Sequence, residues 1–201
     1  MTMRNNASLL VRLFWILLSF PVALSFSLPS PRLQVGNKVP WVDFHWGFNP
    51  PQYVNIPMHV GSRNVLIVGV QGAWLPQSGE IARSYVDNSE ILNQKYGIDE
   101  VMIYAVNDGG VMGIWQKTVL QTPGTIVTCF ADPAAEFTKE CGLPLISEYE
   151  NGLLGRCPNF VLHVDDCIVK QFIECSQKDD IQPVCASTIM NVLQGQTSMS
   201  S

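Results

Sequence analysis

"NVLIVGVQGAWLPQSGE", residues 64–80, joins a continuous apolar run to a turn and then to the start of an amphipathic segment. The run Val65–Val68 shows no polar alternation, which is how a central strand buried on both faces reads. Gly72 supplies a turn, Pro76 stands where a helix start tolerates the loss of an N–H, and Ser78 leads into "GEIARSYVDNSEILNQKYG". A strand that runs into a helix N-terminus is a corner where α/β enzymes mount a nucleophile, because the free N–H groups and the dipole favour negative charge there. Here the residue offered at that corner is a serine.

Outward from this corner the chain alternates strand and helix patterns. Ile81, Tyr85, Ile91, Leu92 and Tyr96 recur at helical spacing and predict one helix ending at Gly97. "EVMIYAV" (100–106) predicts a second central strand, and Asn107-Asp108-Gly109-Gly110 a turn before a helix over 111–120. A strand at "TIVTCFA" (125–131), a short helix over 132–141, an antiparallel pair at "NFVLHV" and "IVKQFIE", and a last helix over 186–193 follow. Upstream, "VPWVDFHWGF" (39–48) sets Val42, Phe44 and Trp46 against Asp43 and His45 and predicts a half-buried strand, with "NPPQYVNIP" (49–57) as a proline-broken loop. The fold class expected is an α/β sandwich of the thioredoxin type, one domain over 35–194 with a flexible tail over 195–201.

The first residues carry Arg4 and Arg12, then an apolar stretch over 13–24 that is short for a bilayer span. Ala23 and Ser25 place small residues before Phe26, so 1–25 reads as a cleaved signal peptide and 26–34 as a short processed or linker segment. Both the plastid address of algae with complex plastids, with its Phe after the cleavage site, and ordinary secretion fit this leader. The chain has 12 basic and 17 acidic side chains, and removal of the leader takes two arginines and no acid, leaving a formal charge of −7. With no Lys/Arg cluster, nucleic acid is not an expected partner, and no membrane span is expected in the processed chain.

All six cysteines, at 129, 141, 157, 167, 175 and 185, lie in the second half and form no C-x-x-C, so neither a zinc knuckle nor a dithiol motif is indicated. Cys129 and Cys175 sit in strand-like sequence and read as small core hydrophobes, while an even count behind a signal peptide leaves disulfides open. His45 and His163 fall on strands, on the face opposite the larger apolar residues, too far apart in sequence to suggest a metal site.

From about Val35 to Leu193, the order of "VGNKVP", "NVLIVGVQGAWLP", "YAVND" with "GIW", "FADPAAEF", "FVLHVDDCIVK" and a cysteine in the last loop resembles the atypical two-cysteine peroxiredoxins, the redoxin branch of the thioredoxin superfamily. That family's corner reads Pro-Gly-Ala-Phe-Thr-Pro-x-Cys, and here it reads Gln71-Gly72-Ala73-Trp74-Leu75-Pro76-Gln77-Ser78. The resemblance places the family's peroxidatic cysteine on Ser78 and its peroxide-binding threonine on Leu75, with Pro76 retained. It also carries the family's arginine onto Arg156 and its resolving cysteine onto Cys185.

A peroxidatic thiolate attacks a peroxide oxygen, becomes a sulfenic acid and is resolved by a second thiol, and a serine hydroxyl takes none of these steps. The resemblance therefore implies a peroxiredoxin-like pseudoenzyme with no catalytic residue at the corner, acting as a binding or structural subunit without cofactor or metal. A protein partner or larger assembly, a homodimer included, is the expected company. Arg156 reads either as part of a site for a small anion or as paired with a nearby carboxylate. Two further readings stay open: a thiol-dependent peroxidase or reductase using Cys157, beside the Arg156 cation, or Cys185; and a secreted disulfide-bonded binding protein. Trp41, Phe44, Trp46, Phe48 and Tyr53 read either as a local core or as a partner-binding patch.

Overall fold

The computed structural model describes residues 30–47, 50–148, 153–176 and 180–199. The expectation of a signal peptide over 1–25 and the Phe48 position lie outside them. A seven-stranded mixed sheet has the order β2-β1-β5-β4-β3-β8-β9. Its strands are β1 (Asp43–Trp46), β2 (Gln52–Asn55), β3 (Asn64–Gly69), β4 (Glu100–Ala105), β5 (Val127–Ala131), β8 (Phe160–Asp165) and β9 (Ile168–Glu174). A separate two-stranded pair joins β6 (Ile146–Glu148) and β7 (Leu153–Arg156). β3, β4 and β5 run parallel, and β8 lies antiparallel along the other side of β3.

The apolar run at 65–68 does become the central strand, with Val65, Leu66, Ile67 and Val68 fully buried. Their alternation divides the core in two. Leu66 and Val68 face a cluster under the helices with Ile81, Tyr85, Leu92 and Trp115, whereas Val65 and Ile67 face Phe44, Tyr104, Phe137 and Phe160. Apolar packing on both faces is what allows an uninterrupted hydrophobic strand.

The helices are α1 (Ile56–Val60), α2 (Pro76–Asp87), α3 (Ser89–Tyr96), α4 (Gly109–Trp115), α5 (Glu136–Glu140) and α6 (Ala186–Met199). The helix expected to run unbroken to Gly97 is two, parted at Asn88, whose side chain turns back onto the Ser84 carbonyl. Ile91 is consequently left exposed. Gly97 does close the second helix in the left-handed conformation, φ 66°. α4 continues into a wider turn over Gln116–Leu120, and a 3₁₀ turn at Gln182–Val184 precedes α6.

Three local expectations change. The proline-broken loop at 49–57 contains β2 and the start of α1, because Pro57 falls in the first helical turn and the Asn55 side chain accepts from Met58 N–H. The segment assigned to a linker over 26–34 packs on the domain from residue 30 onward: Leu33 is buried and donates its N–H to the Cys141 carbonyl at 3.0 Å, and Arg32 pairs with Glu174. The last helix passes Leu193 and runs to Met199, through most of the stretch assigned to a flexible tail.

Candidate active site

The corner after β3 lies at the C-terminal end of the parallel strands, where the two neighbours of β3 deliver their own ends. β4 contributes Asn107 just beyond Ala105, and β8 contributes Asn159 just before Phe160, which pairs with Gly69. Asn159 Oδ1 accepts from Gln71 N–H at 3.2 Å, and Asn107 Oδ1 accepts from Ala73 N–H at 3.0 Å. Arg156 Nη1 donates to the Gln71 carbonyl at 3.1 Å, and Cys157 Sγ donates to the Val70 carbonyl at 2.9 Å. Consecutive backbone groups of the loop are thus held from two sides.

Ser78 closes the arrangement from α2. Its Oγ accepts from Gly72 N–H at 3.3 Å and the residue is 1% exposed, so the hydroxyl is turned into the loop. The serine at this corner is thus enclosed and not presented to solvent. Among the described residues no imidazole or carboxylate hydrogen-bonds to Ser78, so nothing activates it as a nucleophile. Leu75 stands half-buried at the N-cap of α2 without a side-chain cap, and Pro76 occupies the first helical turn. Gly72 is required by close approach: a Cβ there would sit 2.2 Å from Arg156 Nη1. Trp74 adopts φ 69°, uncommon for a bulky residue, and holds its ring 56% exposed beside the corner.

The cysteines proposed to replace the corner thiol fare differently. Cys157 is fully buried, and burial together with the Asp132 carboxylate pushes its thiol well above the ordinary range. The neighbouring Arg156 does not rescue it, because the cation points to the Gln71 carbonyl. A reactive, low-pKa thiol at Cys157 is therefore not what this environment makes. Cys185 ends the 3₁₀ turn and packs beside Ser84, about 9 Å further along the α2 axis than Ser78. Its Sγ donates to the Ile181 carbonyl at 3.4 Å, and burial and Glu80 raise its pKa.

The aromatic group divides as well. Phe44 is core, stacked on Tyr104 at 4.7 Å and on Phe130 at 5.9 Å. Trp41, Trp46 and Tyr53 are exposed, with Tyr53 edge-on to His45 across the β1–β2 pair. His163 is half-buried, with Nε2 2.7 Å from Asn64 Oδ1. Among the described residues no group of three His, Cys, Asp or Glu is placed to hold a metal, and no helix is long and apolar enough to cross a membrane. Reading the sequence alone missed Asn107 and Asn159. Asn107 was visible only as a turn residue, and Asn159 gave no signal, because its role depends on β8 lying beside β3.

A family model described as Redoxin matches residues 34–185. The chain is 31% identical over 147 residues to Peroxiredoxin-2C of Oryza sativa subsp. japonica, covering 73% of this chain and 83% of that protein. It is 31% identical over 137 residues to Peroxiredoxin-2B of Arabidopsis thaliana, covering 67% and 82%. Among solved structures, peroxiredoxin 5 from Alvinella pompejana superposes with a TM-score of 0.68 at 25% identity, over 82% of this chain and 99% of that one. A putative thioredoxin reductase from Burkholderia cenocepacia superposes with a TM-score of 0.72 at 27% identity, over 80% and 98%. The thioredoxin-like α/β fold expected from the sequence is the fold found.

Proposed function

The chain belongs to the redoxin family, among the peroxiredoxins, and from that premise we propose that it keeps the scaffold while its corner performs no thiol-peroxidase chemistry, acting as a binding or structural subunit. The observation that carries this reading is Ser78, an oxygen at the position the family resemblance gives to the attacking sulfur, buried and hydrogen-bonded to Gly72 N–H. A hydroxyl stays protonated at neutral pH and forms no sulfenic acid, so the first step has no attacking atom. Leu75 adds an apolar contact where the resemblance expects a hydroxyl to orient the peroxide.

Peroxide consumption, coupled to a thioredoxin or glutathione supply, tests the reading. The unmodified chain is expected to match the uncatalysed background. Ser78→Cys combined with Leu75→Thr is expected to gain turnover, because Arg156 and the α2 N-terminus remain in place. Turnover by the unmodified chain, lost when its thiols are blocked, overturns the reading.

That outcome would establish the second reading, a thiol-dependent peroxidase or reductase, which the names of the relatives favour. Of the two cysteines considered for it, Cys185 is the better candidate, since Cys157 is sealed in the core. Alkylation across a pH series, read by peptide mass spectrometry, separates the two readings. A Cys185 thiol reacting well below the ordinary range near 8.5 supports the second.

The partner and compartment belong to the same proposal. Exposed Trp41, Trp46 and Tyr53 are the surface we assign to a protein partner, a second copy of the chain included. The leader takes the chain into the secretory route, toward a plastid or the exterior. Organelle fractionation with pull-down from native extract checks both.

A further inference from the structure

A cavity of about 210 Å³ opens beside the corner. Its walls include Leu145 and Ile146 at the start of β6, Pro158, and Glu174 and Cys175 at the end of β9, with Gln71 between them. None of Leu75, Pro76 and Ser78 lines it, so it is a place apart from the α2 N-terminus.

Gln71 is the polar group that the corner leaves unused. It is 3% exposed, and its backbone is held at both ends: Asn159 Oδ1 accepts from its N–H at 3.2 Å and Arg156 Nη1 donates to its carbonyl at 3.1 Å. The side-chain amide, by contrast, makes no hydrogen bond among the described residues. A buried amide without partners is costly, because both its NH₂ and its carbonyl have given up water. Asn159 also lines the cavity, but its Oδ1 is taken and its Nδ2 is buried out of reach. Polar contact with a ligand therefore falls to Gln71.

Charge narrows the ligand further. Among the described residues no Lys, Arg or His lines the cavity, and the carboxylate of Glu174 in its wall is paired with Arg32. Burial, then Asp180, Cys185 and Glu174, push the Cys175 thiol up to about 11, so it stands uncharged at neutral pH. An anion entering here would meet a carboxylate and no cation in the wall, and a cation would meet a carboxylate already neutralised. The aliphatic and proline walls favour an apolar body. A cavity of about 150 Å³ takes benzene, so this one has room for a ring and a small substituent.

We propose that the cavity binds a small uncharged primary carboxamide carried on a ring, the ring against Leu145, Ile146 and Pro158 and the amide paired with the Gln71 side chain. Two amides face to face complete each other: the ligand N–H donates to Gln71 Oε1, and Gln71 Nε2 donates to the ligand carbonyl. Because Asn159 and Arg156 brace the Gln71 backbone, the root of the side chain is fixed before the ligand arrives, and little ordering cost remains. The site neither uses Ser78 nor requires the corner to be inert.

Full-length, isotope-labelled protein titrated with benzamide and followed by NMR tests this directly. Saturable shifts are expected at Leu145, Ile146 and Cys175 and in the Gln71 side-chain NH₂ pair, which Gln71→Leu identifies by its loss. Acetophenone has the same shape without N–H donors, and benzoate has a charge in place of the amide. Both are expected to bind at least about fivefold more weakly than benzamide, the weight of one hydrogen bond. In Gln71→Leu, benzamide is expected to fall to the level of acetophenone. Should that variant not fold, alkylation of the unmodified chain gives the answer: benzamide is expected to slow reaction at Cys175 several-fold and to leave Cys167, outside the cavity, unaffected. Equal affinity for the three probes, no saturation by benzamide, shifts away from the cavity, an unprotected Cys175, or undiminished benzamide binding by Gln71→Leu overturns the proposal. Peroxide turnover bears on the reading of Ser78 alone and leaves this site standing.

Discussion

At the residue scale, two glycines, one ending β3 and one in the loop after it, should respond unequally to the same added methyl. At Gly69 a Cβ would lie 2.4 Å from the Phe160 ring, and at Gly72 it would lie 2.2 Å from Arg156 Nη1. The ring is fully buried in packed core, whereas a guanidinium ends a jointed side chain that can withdraw. Gly69→Ala is expected to lower stability by about 3 kcal/mol, at the upper end of overpacking costs. Gly72→Ala is expected to cost about 2 kcal/mol, the worth of the charged hydrogen bond from Arg156 to the Gln71 carbonyl that it displaces. Urea denaturation of both variants checks the order, and an equal loss would show that Arg156 is as immobile as the ring. At this scale Ser78 was legible as a residue type and illegible as an environment. That a serine follows the turn is written in the sequence, but its burial depends on Gly72 folding back over it.

At the element scale, the opposite end of the sheet from the corner has its own polar cluster. Glu100 begins β4 and lies 2.7 Å from His59 Nε2 on α1 and 2.8 Å from Arg63 Nη1. Burial pushes the Glu100 carboxyl up, but hydrogen bonds from His59 and Thr128 and the charges of His59 and Arg63 outweigh it, and the net shift is downward. A carboxyl with a depressed folded pKa contributes stability above its unfolded value, near 4.3, and that contribution fades as pH falls through the folded value. Glu100→Gln is therefore expected to lower the melting temperature at pH 7 and to flatten its decline in acid. Calorimetric scans of both proteins from about pH 7 to pH 3 check this. An unchanged acid slope would assign the decline to other carboxylates.

Elements were legible in the sequence in proportion to how local their causes are. Continuous apolar runs fixed β3 and β4, and Gly97 marked a helix end. β2 and α1 were hidden by Pro50, Pro51 and Pro57, residues that break structure in most positions but not at a helix start. β6 and β7 are short and belong to no periodic stretch. The bracing by Asn107 and Asn159 was invisible because it requires the strand order β4-β3-β8, a long-range fact.

At the scale of the whole molecule, the chain before β1 proves to be a strap across the domain. Leu33 is 7% exposed within the cluster that holds Phe44 and Phe160, Gly36 N–H bonds the Val169 carbonyl at 2.8 Å, and Arg32 lies 5.2 Å from the Phe172 ring centre. Leu33→Ala is expected to destabilise the protein by about 2 kcal/mol, the lower end for a buried leucine at the margin of a core. Chemical denaturation measures it, and a loss below about 0.5 kcal/mol, the surface range, would make the strap an ornament.

The indole of Trp74 gives the molecule an optical gauge. It projects into water next to the loop that seals Ser78, while Trp115 lies wholly inside. With Trp15, Trp41 and Trp46 replaced by Phe, emission from the first should be quenched readily by acrylamide and that from the second only on unfolding. A ligand that prised the loop open would alter the outer signal before the inner one, so that two-tryptophan variant can report its own opening without an added label.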